Sequence, residues 1–205
     1  MKIYLIRHCE SQDEILNCYG GCADFDLTDK GIKVAKQYSN QICDLGIEKI
    51  FSSPYKRAKK VAYIFNEKLN CGVELIDDLK EINTYGVMSG VNKDLANEIF
   101  DLLLNSKEYK EFGYYKGKTF EGGESIQDFD ARVLNAFSMI TKSSFKNVAI
   151  VTHGGVFRSV YKNILRQNKK IIEIEDVATL EIAYDNGEYS IISMSGIELE
   201  KESLE

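Results

Sequence analysis

Ile3-Tyr4-Leu5-Ile6-Arg7-His8 stands near the start of the chain, and residues 148–155, VAIVTHGG, repeat its pattern near the end. Each segment is a short apolar run typical of a strand buried on both faces. Each run leads to a histidine, and these two are the only histidines in the sequence. Because open α/β sheets bind ligands at the carboxyl ends of their strands, we expect His8 and His153 to meet at one sheet edge. Two merely structural, buried histidines are the plainer alternative.

Between these runs, helical and extended patterns alternate along the chain. A helix is expected to start at Ser53-Pro54, with serine as the cap and proline as the first helical residue. Asp185-Asn186-Gly187-Glu188 indicates a hairpin, because Asn-Gly tolerates the positive φ of a tight turn. Further helices are predicted over 28–46, 92–112, 125–141 and 156–166, and further strands over 49–52, 73–76, 180–184 and 189–194.

This alternation predicts an α/β fold of three layers, with a mostly parallel sheet, helices on both faces and a C-terminal antiparallel hairpin. A chain of 205 residues with 44% hydrophobic content is long enough for one large core. We therefore expect a single domain over residues 1–205.

Charge and composition argue against nucleic acid, a membrane and a metal ion as partners. The formal net charge of −6 argues against nucleic acid as a partner, which requires a broad cationic surface. No run reaches membrane-spanning length and no signal-peptide pattern opens the sequence, so we expect a cytoplasmic protein without a membrane partner. The five cysteines are odd in number and suit reduced thiols. Cys18 and Cys22 lack a second ligand pair at zinc-binding spacing, so no metal site is expected.

Arginine is scarce, with five among 26 cationic residues. Arg7 follows the first apolar run, and Arg57 falls in the first turn of the helix predicted after Ser53. A guanidinium group presents a planar fork of donors that matches phosphate oxygens. The two arginines therefore favour an oxyanion ligand, whereas Arg132 and Arg166 fit a surface or helix-capping role better.

The order of these motifs resembles that of a known family. Leu5-Ile6-Arg7-His8-Cys9-Glu10-Ser11 resembles the Arg-His-Gly signature of the histidine phosphatase superfamily, which includes cofactor-dependent phosphoglycerate mutases. Asp26-Leu27-Thr28, with Gly31, is similar to the family's Leu-Thr-x-x-Gly. Ser52-Ser53-Pro54, with Arg57-Ala58, resembles its second arginine motif. Residues 151–155 resemble its second histidine motif, and 122–125 a further motif, so the resemblance covers about three-quarters of the chain.

The resemblance implies a role for each matching residue. His8 would be the nucleophile that becomes a transient phosphohistidine, and Arg7, Arg57, His153 and Gly154 would bind the phosphoryl oxygens. Glu81, in Leu79-Lys80-Glu81, would be the general acid and then the base for water, although it precedes Tyr85-Gly86 by one residue more than is usual. Such a reaction needs neither metal nor nucleotide, and no cofactor is expected.

Two positions depart from the family pattern. Cys9 replaces a glycine, and a thiol beside a cationic site is either reactive or a small filler. Glu14 stands where many members carry an asparagine that contacts the phosphoryl group. An ionised carboxylate there would repel the substrate unless it turns outward or is protonated.

Our first hypothesis is a phosphatase that hydrolyses small phosphomonoesters, with a small phosphorylated metabolite as partner. A phosphoglycerate mutase is the alternative within enzymes. A catalytically weak member that binds phosphorylated ligands is the alternative outside them, and turnover of an aryl phosphate distinguishes it. Substrate identity would depend on residues 85–123, whose pattern indicates only helix and loop, and a homodimer is left open.

Overall fold

In the computed structural model, which describes residues 1–105 and 122–201, helices and strands alternate as the sequence predicts. Short 3-10 turns also occur at Cys43–Leu45, Asp77–Leu79 and Gly86–Met88. The main elements are β1 (Lys2–Arg7), α1 (Gln12–Ile15), α2 (Asp29–Gln41), β2 (Lys49–Ser52), α3 (Lys56–Leu69), β3 (Val73–Leu75), α4 (Lys93–Asn105), α5 (Ile126–Thr141), β4 (Asn147–Thr152), α6 (Gly154–Ser159), β5 (Ile171–Asp185) and β6 (Glu188–Leu199).

The six strands form one sheet in the order β3-β2-β4-β1-β5-β6. β1, β2, β3 and β4 pair in parallel, and β5 adds antiparallel to β1 and to β6. Arg7 on β1 lies opposite Thr152 on β4, so the two strands end side by side. This register brings the residues that follow each strand to the same edge of the sheet.

Both faces of the sheet are covered. One core cluster packs α5, α6 and the π-helical segment Val160–Ile164 against Ile3, Leu5 and Ile150. The other packs α2 and α3 against the alternate residues of the central strands, including Ile6 and Val151. Burial on both faces explains the continuous apolar runs, because each buried aliphatic side chain contributes about 1.5–3 kcal/mol. The predicted three-layer α/β fold with its C-terminal hairpin is confirmed.

The start of α3 differs from the prediction. Its first residue is Lys56 and its N-cap is Tyr55, so Pro54 is not the first helical residue and Ser53 is not the cap. The Ser53 hydroxyl accepts from the Tyr55 N–H at 3.3 Å and also contacts His153. Ser53 therefore contacts His153 at the sheet edge instead of capping the helix. The helix starts two residues later than its local signals indicate.

Other boundaries also differ. The helix predicted over 156–166 is α6 followed by the π-helical segment Val160–Ile164. The predicted Asn186-Gly187 turn forms, with φ of 49° and 92°, but β5 begins at Ile171 rather than at residue 180. Register shifts between Ile174 and Thr179 interrupt the alternating pattern that reveals a strand in sequence. The helix predicted over 92–112 corresponds to α4, which spans Lys93–Asn105. Residues 106–112 of that prediction lie outside the described residues.

Within the part of the chain that the structure describes, no helix is long and apolar enough to cross a membrane.

Gly31 in the first turn of α2 provides a test of the packing between α2 and the segment after β1. A Cβ atom at this position would overlap the backbone carbonyl oxygen of Glu10, which cannot yield as a side chain would. Gly31→Ala should therefore lower the free energy of unfolding by about 1–3 kcal/mol, although glycine to alanine within a helix normally stabilises by about 0.5–1 kcal/mol. Urea denaturation measures the change, with Lys33→Ala on the exposed face of α2 as control. A stability equal to or above that of the parent protein would contradict this packing.

Candidate active site

His8 follows β1 directly and is 5% exposed. Its Nδ1 lies 2.7 Å from the backbone carbonyl oxygen of Cys9. A carbonyl oxygen only accepts, so Nδ1 carries the proton and Nε2 keeps its lone pair. Burial, reinforced by the charges of Arg7 and Arg57, holds the pKa of His8 well below its ordinary value. The imidazole is therefore neutral near pH 7, with an unprotonated nitrogen available for attack.

His153 follows β4 and is fully buried beside His8, with ring centroids 5.1 Å apart. Its Nε2 lies 2.7 Å from the Ser53 hydroxyl, and its Nδ1 has no hydrogen-bond partner among the described residues. Burial, with the Arg57 charge next in importance, holds the pKa of His153 well below its ordinary value. A buried nitrogen is costly without a partner, so Nδ1 remains able to form one further hydrogen bond.

Arg7 and Arg57 flank the histidines from different elements. Arg57 is 2% exposed and donates to the carbonyl oxygens of Ala23 at 2.9 Å and Gly21 at 3.2 Å. Arg7 ends β1 and donates to the Ile174 carbonyl at 3.0 Å. The loop after α1 and the start of β5 therefore orient the two guanidinium groups by backbone contacts.

Glu81 lines the same cavity as His8, although it does not follow a strand. Backbone hydrogen bonds hold its carboxylate there. Its Oε2 accepts from the Gly155 N–H at 3.1 Å, and its Oε1 accepts from the Ile82 N–H at 2.8 Å. A Cβ atom at residue 155 would overlap Glu81 Oε1, so this close approach requires glycine. The unusual spacing before Tyr85 therefore does not turn the Glu81 carboxylate away from the histidines.

Arg132 on α5 holds the segment that carries Glu81. Its guanidinium donates to the carbonyl oxygens of Asp78, Lys80 and Glu81 at 2.8, 2.8 and 3.1 Å. The same group forms a bidentate pair with the Glu124 carboxylate at 2.6 and 2.8 Å. The expectation of a surface or helix-capping role for Arg132 is therefore wrong. The recognised motif at 122–125 contains its partner and was the signal available in the sequence.

Glu14 pairs with Arg7 at 3.1 Å, so it faces the site rather than turning away. Asp176 contacts the same guanidinium at 3.4 Å. Burial raises the pKa of Glu14 above its ordinary value, Asp176 and Asp13 act in the same direction, and Arg7 opposes them. A carboxylate thus occupies a donor of Arg7 that an anionic ligand would use.

Cys9 is fully buried, and burial raises the pKa of its thiol to about 12. The thiol is therefore protonated and enclosed, so the filler interpretation holds and the reactive one is wrong.

These groups open into one cavity of about 410 Å³. The predicted site residues Arg7, His8, Arg57, Glu81 and Gly154 line it, and His153 packs against His8 without lining it. Sequence reasoning did not assign Arg158 or Asp13, which also line the cavity. Arg158 stands five residues after His153, in the last turn of α6, and no motif in the sequence singles it out. Asp13 and Glu14 add acidic groups to the lining, and Arg158 adds a third arginine to Arg7 and Arg57.

Comparison with known proteins agrees with the motifs. The family model described as the histidine phosphatase superfamily (branch 1) matches residues 3–197. Phosphoserine phosphatase 1 of Hydrogenobacter thermophilus is 28% identical over 95% of this chain and 87% of its own. A 2,3-bisphosphoglycerate-dependent phosphoglycerate mutase of Nautilia profundicola is 30% identical over 89% of this chain and 90% of its own. The crystal structure of the alpha-ribazole phosphatase from Shigella flexneri superposes with a TM-score of 0.78 at 21% identity, over 95% of this chain and 96% of that one. The chain belongs to the histidine phosphatase superfamily.

Proposed function

We propose that the protein hydrolyses small phosphorylated metabolites through a phosphohistidine on His8. The observation that carries this proposal is the 2.7 Å hydrogen bond from His8 Nδ1 to the Cys9 carbonyl. It fixes the tautomer in which Nε2 is the free nucleophile, and burial beside two arginines keeps the ring neutral. A phosphorus atom placed in the cavity in front of Nε2 can then be attacked in line with its leaving oxygen.

The groups around His8 suit the charge of the transition state. Phosphoryl transfer spreads negative charge over three oxygens, and fixed donors lower the barrier when they point at those oxygens. Arg7, Arg57 and Gly154 line the cavity, and His153, whose Nδ1 has no partner among the described residues, lies next to His8. When His153 Nδ1 donates to a phosphoryl oxygen, Nε2 accepts from the Ser53 hydroxyl at 2.7 Å. Ser53 thus positions the second histidine.

Glu81 supplies the proton transfers of both steps. In the first step, the bond between His8 Nε2 and phosphorus forms, the ester P–O bond breaks, and protonated Glu81 gives its proton to the leaving oxygen. In the second, ionised Glu81 takes a proton from water, whose oxygen attacks phosphorus and releases His8. Phosphate leaves and Glu81 is protonated again. The backbone N–H groups of Ile82 and Gly155 hold the carboxyl group in place for both steps.

This chemistry assigns no step to a metal or other cofactor. Arg7, Arg57 and His153 supply the fixed donors that a divalent ion supplies in other phosphatases, and Glu81 supplies the proton. We accordingly propose a metal-independent phosphomonoester hydrolase.

Two other functions have specific support. A phosphoglycerate mutase is favoured by the 30% identical relative of that name. A ligand-binding member with weak activity is favoured by the ion pair between Glu14 and Arg7, which competes with a phosphoryl group. Hydrolysis is preferred over mutase transfer because the carboxylates of Asp13 and Glu14 line the cavity. A mutase must hold a second anionic group while its intermediate reorients, and carboxylates oppose that group.

The nucleophile can be identified by trapping. Brief mixing with substrate in the presence of EDTA, followed by quenching without acid, should leave phosphate on the protein in an acid-labile, alkali-stable form. His8→Ala should lose this label and lower turnover by on the order of 10³-fold or more. His153→Ala is the matched control, because it removes the other histidine and should slow the reaction while the label remains. Normal turnover in His8→Ala would contradict the assignment of His8 as the nucleophile. A strict requirement for a divalent ion would contradict metal independence.

Glu14 should weaken substrate binding in a pH-dependent way. The carboxylate of Glu14 pairs with Arg7, and because its pKa is raised, acid protonates Glu14 and releases Arg7 at a higher pH than it would for an ordinary carboxyl group. Glu14→Gln should lower KM for an aryl phosphate at pH 7 by about fivefold, the effect of about 1 kcal/mol from a charge pair in high dielectric. The advantage should shrink as the pH falls toward 5. Glu67→Gln on the exposed face of α3 is the control for net charge. An unchanged KM at pH 7 would show that Glu14 does not compete.

Hydrolysis should exceed mutase transfer when 3-phosphoglycerate is offered with a trace of 2,3-bisphosphoglycerate. The sequence has no arginine between Arg57 and Arg132. Lys93, Lys107, Lys110, Lys116 and Lys118 are the cations available after Glu81 in that interval, and all but Lys93 lie outside the described residues. The measurement compares release of inorganic phosphate with formation of 2-phosphoglycerate. Faster appearance of 2-phosphoglycerate would replace the phosphatase assignment by the mutase one.

A further inference from the structure

A second cavity, of about 530 Å³, lies between the π-helical segment Val160–Ile164 and the chain that leads into β5. Five cationic side chains line it: Arg158, Lys162, Arg166, Lys169 and Lys170. Asn163, Gln167 and Asn168 add neutral polar groups to the lining. The lining thus offers donors for an anion.

The charge of this region differs from that of the rest of the chain. The net charge of the protein is −6, yet no Asp or Glu occurs between Asp130 and Glu173. Among the described residues, no carboxylate forms an ion pair with Arg158, Lys162 or Arg166, whereas Arg7 and Arg132 are both paired with acidic groups. Cations that line the same cavity repel one another, so an anionic ligand would relieve that repulsion.

The cavity adjoins the active site through Arg158. This residue lines both cavities, and its Nη1 would lie 3.2 Å from a Cβ atom placed on Gly154. Tyr161 and Ile171, each 4% exposed, give the second cavity a packed floor beneath its exposed cations. A small molecule could therefore place an anionic group here while another part of it, or a second molecule, occupies the site at His8.

We propose that this cavity is a second anion-binding site, which holds a phosphate or carboxylate group of a small molecule apart from the phosphoryl group at His8. Guanidinium and ammonium groups recognise both anions. The anion is either a remote group of the substrate or a separate polyanionic effector, and the same chemistry serves both. The site does not depend on the proposed hydrolysis.

Calorimetric titration with tripolyphosphate tests the site directly. The double variant K162Q/R166Q neutralises two cations that line this cavity and do not line the active-site cavity. It should bind tripolyphosphate about tenfold more weakly or worse. K142Q/K146Q is the matched control, because it removes the same charge from two exposed lysines of the same acid-free stretch outside the cavity. Equal affinity in the two double variants would overturn the proposal.

Kinetics then distinguish the two sources of the anion. If the site holds a remote group of the substrate, K162Q/R166Q should raise KM for a sugar bisphosphate and leave kcat, and KM for phenyl phosphate, unchanged. If it holds an effector, tripolyphosphate should bind alongside vanadate at the active site. Either result supports the site. The proposal is contradicted if vanadate abolishes the binding of tripolyphosphate and K162Q/R166Q binds tripolyphosphate as tightly as the parent protein. If phenyl phosphate is not hydrolysed at all, the proposed function fails while the calorimetric comparison still decides the anion site.

Discussion

The parallel pairing of β1 with β4 is the constraint on which the site depends. Arg7 lies opposite Thr152, and the His8 N–H donates to the Thr152 carbonyl at 2.9 Å. Each histidine is therefore the first residue beyond a paired position, and two residues far apart in sequence become neighbours. A shift of one residue in this register would turn every side chain of one strand to the other face. The apolar runs on both strands, buried on both faces of the sheet, oppose such a shift.

Glu81 is positioned by a different kind of interaction. No strand ends at this residue, and its place results from contacts made by distant parts of the chain. Arg132 binds the backbone carbonyls of Asp78, Lys80 and Glu81 itself. Gly155 permits the close approach of Glu81, and the Thr152 hydroxyl donates to the Leu79 carbonyl at 2.8 Å. Glu81 and His8 therefore share a support, since Thr152 contacts the segments of both. Such shared contacts help to hold two groups in a fixed relation.

The sequence predicts features that depend on local pattern. The buried strands before His8 and His153, the helix that begins beside Thr28 and the Asn186-Gly187 turn each follow from a few adjacent residues. Features that depend on distant partners are less accessible. Ser53 has the local pattern of a helix cap, but its hydroxyl contacts a histidine one hundred residues away.

The same distinction applies to charged residues and to irregular strands. The role of Arg132 depends on carbonyls about fifty residues earlier in the chain, and the sequence signals only its other partner, Glu124, within the motif at 122–125. The first half of β5 is missed because its register shifts remove the alternation of apolar and polar residues. The direction of Glu14 was left open because it depends on competition between Arg7 and solvent, and that competition is visible only when both side chains are placed.

The enclosure of Cys9 has a consequence for the durability of the site. A thiol immediately next to a reactive histidine would ordinarily be a point of damage by peroxides or alkylating agents, because the thiolate is the form that reacts. Here the sulfur is fully buried and its pKa is raised to about 12, so almost none of it is thiolate at neutral pH. The side chain of Cys9 therefore adds buried volume next to His8 without adding a reactive thiolate. Peroxide would then oxidise the exposed thiol of Cys43 well before the buried thiol beside His8.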